Sequence, residues 1–167
     1  GHDGLMGSQV PIAVGHCYKT KHPTIVYMGD ASAEEDYVLG ALGWASTKRL
    51  PILFVVEDNN LSILTEKKVR RNWEMHDVAN AFNMKAFNIS DDPNVIKNYL
   101  EGVFVEPMLL NINTHRKFWH SGAGIDDENI FDRYEEQKRI LGESADLIHK
   151  KTKKMVEDLW KKQLEIQ

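Results

Sequence analysis

Residues 28–60 read MGDASAEEDYVLGALGWASTKRLPILFVVEDNN, and the order of parts in this stretch decides the fold. An apolar run ends at Met28 and is followed by Gly29 and a lone acid, Asp30. A second apolar run, LPILFVV at 50–56, ends in Glu57, Asp58, Asn59 and Asn60. Runs this short and apolar throughout suit strands buried on both faces. Between them, Ser32-Ala33-Glu34-Glu35 has the spacing of a capping box, in which Ser32 and Glu35 satisfy free backbone donors at a helix start. That helix is predicted to run to about Lys48, with Tyr37, Leu39, Leu42 and Trp44 as its apolar side chains. Gly40 and Gly43 inside it cost ~1 kcal/mol each relative to Ala, a loss that close approach of another backbone would offset.

A strand–helix–strand unit crosses over right-handed. Both strands then point the same way, and Asp30 and Asn59, 29 positions apart, emerge at one carboxyl edge. Open parallel sheets bind their ligands there. One carboxylate and one amide oxygen make the partial hard-oxygen set that Mg²⁺ completes with phosphate and water. A helix N-terminus at Ser32 would add a positive dipole end favourable to an anion. The same residues also suit a plain structural reading, since Asp after a strand and an Asn-Asn pair are common turn formers.

The pattern extends outward on both sides. VPIAVGHCYK suits a helix started under Pro11, and PTIVYM is the first strand of the unit. Downstream, 73–83 reads as a short helix and KAFNIS as a strand. A further helix starts at Asp92-Pro93, and PMLLNINTH is the last strand. The loop RKFWHSGAGIDDEN follows, then helices at 130–141 and 146–165. In the second of these, Ile148, Met155, Val156 and Leu159 share one face. Strands alternating with helices imply an α/β fold with a doubly wound, mostly parallel sheet and a helical tail.

Composition narrows the function. The chain has 167 residues, 42% apolar, with a net charge of −4. That is enough for a real core in a domain of ordinary size, and it lacks the basic patch of a nucleic-acid partner. The Lys-rich run at 149–154 is followed by Glu157 and Asp158, which suits a solvated helix face. No apolar run approaches the ~20 residues of a membrane span. No signal peptide is visible, and the opening GHDGLMGSQVP, with no strand or helix before it, reads as the start of a fragment. The single cysteine, Cys17, permits no intrachain disulfide, so a reducing, cytoplasmic setting is expected, with Cys17 as a small buried apolar residue. His16, His22, His76, His115 and His149 have no zinc-ligand spacing. Trp44, Trp73 and Trp160 read as packing anchors. GHDGLMG is not the dinucleotide fingerprint and follows no strand.

Gly29-Asp30 followed by Asn59 after a second strand resembles the thiamin diphosphate motif, Gly-Asp-Gly and, about thirty residues on, Asn-Asn. More closely, the chain is similar to the alpha subunit of the 2-oxo acid dehydrogenases of pyruvate, branched-chain and acetoin type. GHDGLMGSQVPIAVG matches the glycine-rich opening, RLPILFVVEDNNLSILT the second strand and Asn loop, and NINTHRKFWHSGAG the Tyr-Arg…Gly-His-Ser loop. The resemblance implies a thiamin diphosphate and Mg²⁺ site. Asp30, the Asn59 side chain and the Leu61 carbonyl would ligate the metal. Gly29 and Ala31 would lie against the diphosphate, and the backbone of Gly4 and Met6 would bond the aminopyrimidine ring.

His120 would be the catalytic residue, as proton donor or orienter near the reacting carbon, a duty that suits an imidazole. Ser121 matches a position that animal members phosphorylate. Trp119 is a candidate lining residue, and Arg116 suits either the cofactor or substrate carboxylate or a surface ion pair. The chain departs from the family at Ala31 (Gly), Asp58 (Asn), Leu61 (an aromatic) and Phe118 (His). The family also has a long segment ahead of the GHDG position that grips the diphosphate. Residues 1–128 would be the cofactor domain and 129–167 a helical tail packing on it or on a partner. The glutamate that activates the cofactor belongs to a beta-type subunit or pyrimidine-binding domain, and no Glu here matches it. The expected assembly is a heterotetramer, inactive as this chain alone, that decarboxylates a 2-oxo acid and passes the acyl group to a lipoyl-type acyltransferase. A transketolase-like thiamin enzyme and a non-catalytic binding or assembly module are the alternatives.

Overall fold

A computed structural model of the chain describes residues 4–100, 102–122 and 129–165. The chain separates into two compact units, Gly1–Asn129 and Ile130–Gln167. The first opens with α1 (Gln9–Thr20), then β1 (Thr24–Gly29), α2 (Asp36–Thr47) and β2 (Ile52–Asp58). A small antiparallel hairpin follows, β3 (Leu61–Ser62) and β4 (Thr65–Glu66), running into α3 (Lys67–Arg70). Then come α4 (Met75–Ala81), β5 (Lys85–Ser90), α5 (Pro93–Tyr99) and β6 (Met108–Asn113). The second unit pairs α6 (Arg133–Leu141) with α7 (Ser144–Leu164). Among the described residues no helix is long and apolar enough to cross a membrane.

The main sheet has the strand order β1-β2-β6-β5, every neighbouring pair parallel. This is the parallel α/β architecture that alternating strand and helix patterns imply. One face packs on α1, α2 and α4 through a core that includes Val26, Met28, Val38, Leu42, Ile52, Phe54 and Leu109, with Cys17 fully buried in it. The other face carries Leu53, Val55, Ile89, Leu110 and Ile112, covered in part by Val95, Ile96 and Tyr99 of α5.

β2 is buried over nearly its whole length. β1 is not. As an edge strand it packs one face on α1, while Ile25 and Tyr27 on the other remain 47% and 58% exposed. They border an open groove of about 370 Å³ with Leu53, Val55, Ile96 and Leu110. Expecting two buried faces for β1 was therefore wrong, because α5 lies over β5 and β6 and does not reach the edge.

The capping box also fails. Ser32–Glu34 forms a 3-10 turn, and α2 starts at Asp36 with Glu35 as its cap residue; neither Ser32 nor Glu35 caps through its side chain. Glu34, inside this turn, is tied to Arg70 and Arg71. The start of α2 is flanked by Glu34, Glu35 and Asp36, so it is not a free positive end for an anion. Neither helix glycine meets another backbone: a Cβ at Gly40 would touch nothing, and one at Gly43 would rest on the Phe82 ring at 3.7 Å. Gly7 is the constrained one. Its φ is +80°, and a Cβ there would lie 2.8 Å from Val38 and 2.9 Å from the Ser32 carbonyl.

Asp92 caps α5 by accepting from the Asn94 N–H, with Pro93 at the first helical position. Asp132 caps α6 in the same way through Tyr134 and Glu135. Trp44 packs edge-on to Tyr18 and Trp73 against the core. Trp160 is 65% exposed, and so are large parts of Ile148, Met155 and Leu159 on α7; among the described residues of its own unit Trp160 is not a packed anchor.

Candidate functional site: a charged cluster at the carboxyl edge

β1 and β2 run in register with Gly29 opposite Glu57. The next residue on each strand is therefore an acid, Asp30 beside Asp58, and Asn59 lies one step further. β6 pairs on the other side of β2 with Asn113 opposite Asp58. The Thr114 N–H donates to the Asp58 carbonyl at 2.8 Å, which ties the two strand exits together. Three strand ends thus converge on one edge.

Asp30 is 2% and Asp58 4% exposed. Buried carboxylates need partners, and these come from a basic segment, KKVRR at 67–71. Lys67 Nζ lies 2.7 Å from Asp58 Oδ2 and 2.9 Å from Glu74. Arg70 Nη2 donates to Asp30 Oδ2, its Nε reaches Glu34 at 3.1 Å, and its Nη1 donates to the Thr65 carbonyl at 2.6 Å. Arg71 is deeper: its Nη1 donates to the Asp30 carbonyl oxygen and lies by Glu34, both at 3.1 Å. Its guanidinium sits over the Trp73 ring, 4.7 Å from the centroid, and its Nε and Nη2 are buried without an acceptor among the described residues.

The two acids respond oppositely. Burial pushes the Asp30 carboxyl above its ordinary value, and the Asp58 charge adds to this, outweighing Arg70. Burial acts on Asp58 too, but Lys67, Asn111 and the Asn60 N–H together outweigh it and hold that carboxyl below its ordinary value. Lys67 is lifted by Asp58 and Glu74 against the opposing effect of its own burial.

An amide ladder extends the cluster. Asn111 is fully buried in β6, and its Nδ2 donates to Asp58 Oδ2 at 3.2 Å and to Asn88 Oδ1 at 3.0 Å. Asn113 donates to the same Asn88 oxygen at 2.9 Å. Asn111 Oδ1 is buried with no partner among the described residues.

Asn59 and Leu61 lie in the turn after β2. The Asn59 side-chain oxygen accepts the Leu61 N–H at 3.0 Å, and Asp58 Oδ1 accepts the Asn60 N–H at 3.0 Å. This pair of side-chain turns holds Asn60 in the left-handed region, φ 65°. Of the residues read from sequence as turn formers, Asn59 and Asn60 lie in a turn, held by the Asp58 and Asn59 side chains, while the Asp30 carboxylate is engaged by Arg70. Ala31 has φ −71° and ψ −38°, so this backbone does not require the second Gly of the motif. Gly29 has open space where a Cβ would point.

Gly4 is exposed and also has open space at its Cβ position. Met6, half exposed, accepts the Tyr37 hydroxyl with its carbonyl. Both lie in the segment that Gly7 seats on α2. His120 and Ser121 are exposed on a turn after β6, with Ser121 at φ 48°. Among the described residues His120 makes no hydrogen bond to the Asp30–Arg70 cluster. Trp119 takes the Arg116 guanidinium over its ring at 5.5 Å. Residues 123–128 of that loop lie outside the described residues.

Sequence reading missed Lys67, Arg70, Arg71, Glu34, Glu74 and the asparagine ladder. The signal for the first three was the basic run directly after the Asn loop, which must find carboxylates if its segment packs on the strand ends. For the ladder it was an Asn inside the apolar run MLLNIN.

Among the described residues no three His, Cys, Asp or Glu side chains are grouped to hold a metal. The set expected from sequence contains a single carboxylate, and the donor chemistry at the strand ends fits a hard cation in one respect. Asp30 Oδ2 is taken by Arg70, while Oδ1 accepts no hydrogen bond among the described residues.

Comparison with known proteins bears on this edge. A family model described as "Dehydrogenase E1 component" matches residues 1–166. The pyruvate dehydrogenase E1 component subunit alpha of Rickettsia felis is 27% identical over 136 residues, covering 72% of this chain and 41% of that protein. The mitochondrial counterpart of Dictyostelium discoideum is 25% identical over 161 residues, covering 89% and 41%. The chain thus spans about two fifths of the length of these relatives. Among solved structures, the transketolase of Campylobacter jejuni superposes with a TM-score of 0.62 at 22% identity, over 66% of this chain and 20% of that one. The transketolase of Leishmania mexicana gives 0.61 at 19% identity, over 66% and 20%. At these identities the structural likeness speaks for the fold.

Proposed function

The chain belongs to the dehydrogenase E1 component family, and from that premise we propose that it is the metal- and diphosphate-binding portion of a thiamin diphosphate-dependent 2-oxo acid dehydrogenase. The observation that carries this reading is the pairing of β1 and β2, which sets a buried Asp30 level with Asp58 and one step from Asn59. In this reading Asp30, the Asn59 side chain and the Leu61 carbonyl hold Mg²⁺. Gly29 and Ala31 face the diphosphate, where Gly29 has room. Gly4 and Met6 meet the aminopyrimidine through their backbone, Met6 through its N–H because Tyr37 takes its carbonyl. When bound, thiamin diphosphate supplies the electron sink for decarboxylating a 2-oxo acid.

The work of this chain is positional. Arg71 clamps the Asp30 carbonyl and so fixes the turn between β1 and α2. Lys67 and Asn111 keep Asp58 ionised beside it. His120 is assigned to proton handling or orientation near the reacting carbon. A beta-type subunit or pyrimidine-binding domain supplies the activating glutamate, and the acyl group passes to a lipoyl-type acceptor. The helical unit Ile130–Gln167 serves packing on the first unit or on that partner. The ion pair between Arg70 and Asp30 favours one alternative, a non-catalytic module of the same fold.

Two measurements decide. Calorimetric titration with thiamin diphosphate and Mg²⁺ should show binding that Asp30→Ala abolishes; no binding by the unaltered chain would favour the non-catalytic module. An assay of the chain alone with cofactor, Mg²⁺ and a 2-oxo acid should show no turnover. Turnover without a partner would refute the division of labour.

A further inference from the structure

We propose that Arg70 is a built-in counterion that competes with a divalent cation for Asp30: the cation would take the Oδ1 that accepts no hydrogen bond among the described residues, against the charge of the guanidinium already on Oδ2. This rests on the assignment of Asp30 as a metal ligand made above. The geometry separates Arg70 from its neighbour. Arg71 has a side chain 1% exposed, is stacked on Trp73 and bonds the Asp30 backbone, so it stays in place whatever the carboxylate does. Arg70 bonds the carboxylate itself. Its side chain is 14% exposed, and two of its three donor nitrogens are held elsewhere, by Glu34 and by the Thr65 carbonyl. Nη2 can therefore leave Asp30, keeping Glu34 at 3.0 Å, without stranding the guanidinium.

Electrostatics makes the competition two-way. A dication on Asp30 would sit within a few ångströms of the Arg70 guanidinium in a poorly solvated pocket, where like charges repel strongly. Without a cation, Asp30 faces Asp58 across the strand ends and needs a positive neighbour. Arg70 supplies it, at the cost of metal affinity. A cation with two charges and several coordination positions can win this competition, whereas a monovalent one has little advantage over the guanidinium.

The test uses the full chain and Mn²⁺ alone, read from the paramagnetic resonance signal of the free ion. Arg70→Met should bind Mn²⁺ about tenfold more tightly than the unaltered chain, equivalent to about 1.4 kcal/mol, and Asp30→Asn should abolish binding. Equal affinity in the unaltered chain and Arg70→Met, with loss in Asp30→Asn, would overturn the role of Arg70 and leave the metal site standing. Binding indifferent to Asp30→Asn would overturn the metal assignment and this inference with it, and no binding even by Arg70→Met would overturn this inference, leaving the metal assignment to the titration with thiamin diphosphate. If circular dichroism shows Arg70→Met unfolded, Arg70→Lys takes its place. It keeps the charge but loses the fork, and should bind about threefold more tightly; unchanged affinity there overturns the proposal.

Discussion

Asp58 gives the cluster a pH signature. Its carboxyl is held below the ordinary 3.8, so as pH falls the unfolded chain takes up the proton first. The stability it contributes is complete above the ordinary carboxylate range and is lost as pH drops through the lower folded value. Asp58→Asn should cost about 3 kcal/mol near neutral pH, because it leaves Lys67 half-paired in a buried site. Urea titrations of both forms at about pH 6 and about pH 3 should show the gap narrowing on acidification; a gap of constant size would remove Asp58 as its source. The residue scale is also where sequence reading reached least far. Asp30 and Asn59 were legible because a right-handed crossover fixes where two strand ends go. Arg70, Arg71 and Lys67 were not, because nothing local says that a basic run after a loop folds back onto those ends. Ionic pairs 36 to 40 residues apart are a product of the tertiary fold.

At the scale of elements, helix starts offer a controlled contrast. Asp92 caps α5 through its side chain, whereas Ser32 caps nothing although its local sequence is better suited to the task. Asp92→Ala should lower stability by about 1 kcal/mol, while Ser32→Ala should stay within about 0.5 kcal/mol. Thermal melts of the two variants beside the unaltered chain would check both, and a larger loss at Ser32 would mean that the box forms after all. The pair also shows what made elements legible. Strand positions followed directly from short apolar runs, and the α5 cap from Asp-Pro, because these signals act within a few residues. The start of α2 was misjudged because Ser32–Glu34 closes as a 3-10 turn, tied through Glu34 to arginines far along the chain. Edge position likewise decided the exposure of β1, and edge position is a property of strand order.

For the whole molecule, the open face beside β1 is the feature with the plainest physical consequence. Ile25 and Tyr27 hold apolar area in water that their strand partners Leu53 and Val55 do not. The double change Ile25→Thr, Tyr27→Thr should therefore alter stability by less than about 1 kcal/mol. It should also reduce binding of an environment-sensitive hydrophobic dye. A large loss of stability would show that the face is covered in the folded chain.

Strand order carries a last consequence, one of time. The strand that joins β2 to β5 is the last made of these four, since β6 ends at Asn113 and inserts between two strands already synthesised. A chain growing from its N-terminus can zip β1 to β2 early, but β5 must wait without a neighbour until Met108–Asn113 emerges. Completion of the sheet and assembly of the Asp58–Asn111–Asn88 ladder are then one event. The ladder acts as a latch that closes last, and a nascent chain halted before it would expose the inner margins of two strands to whatever else could pair with them.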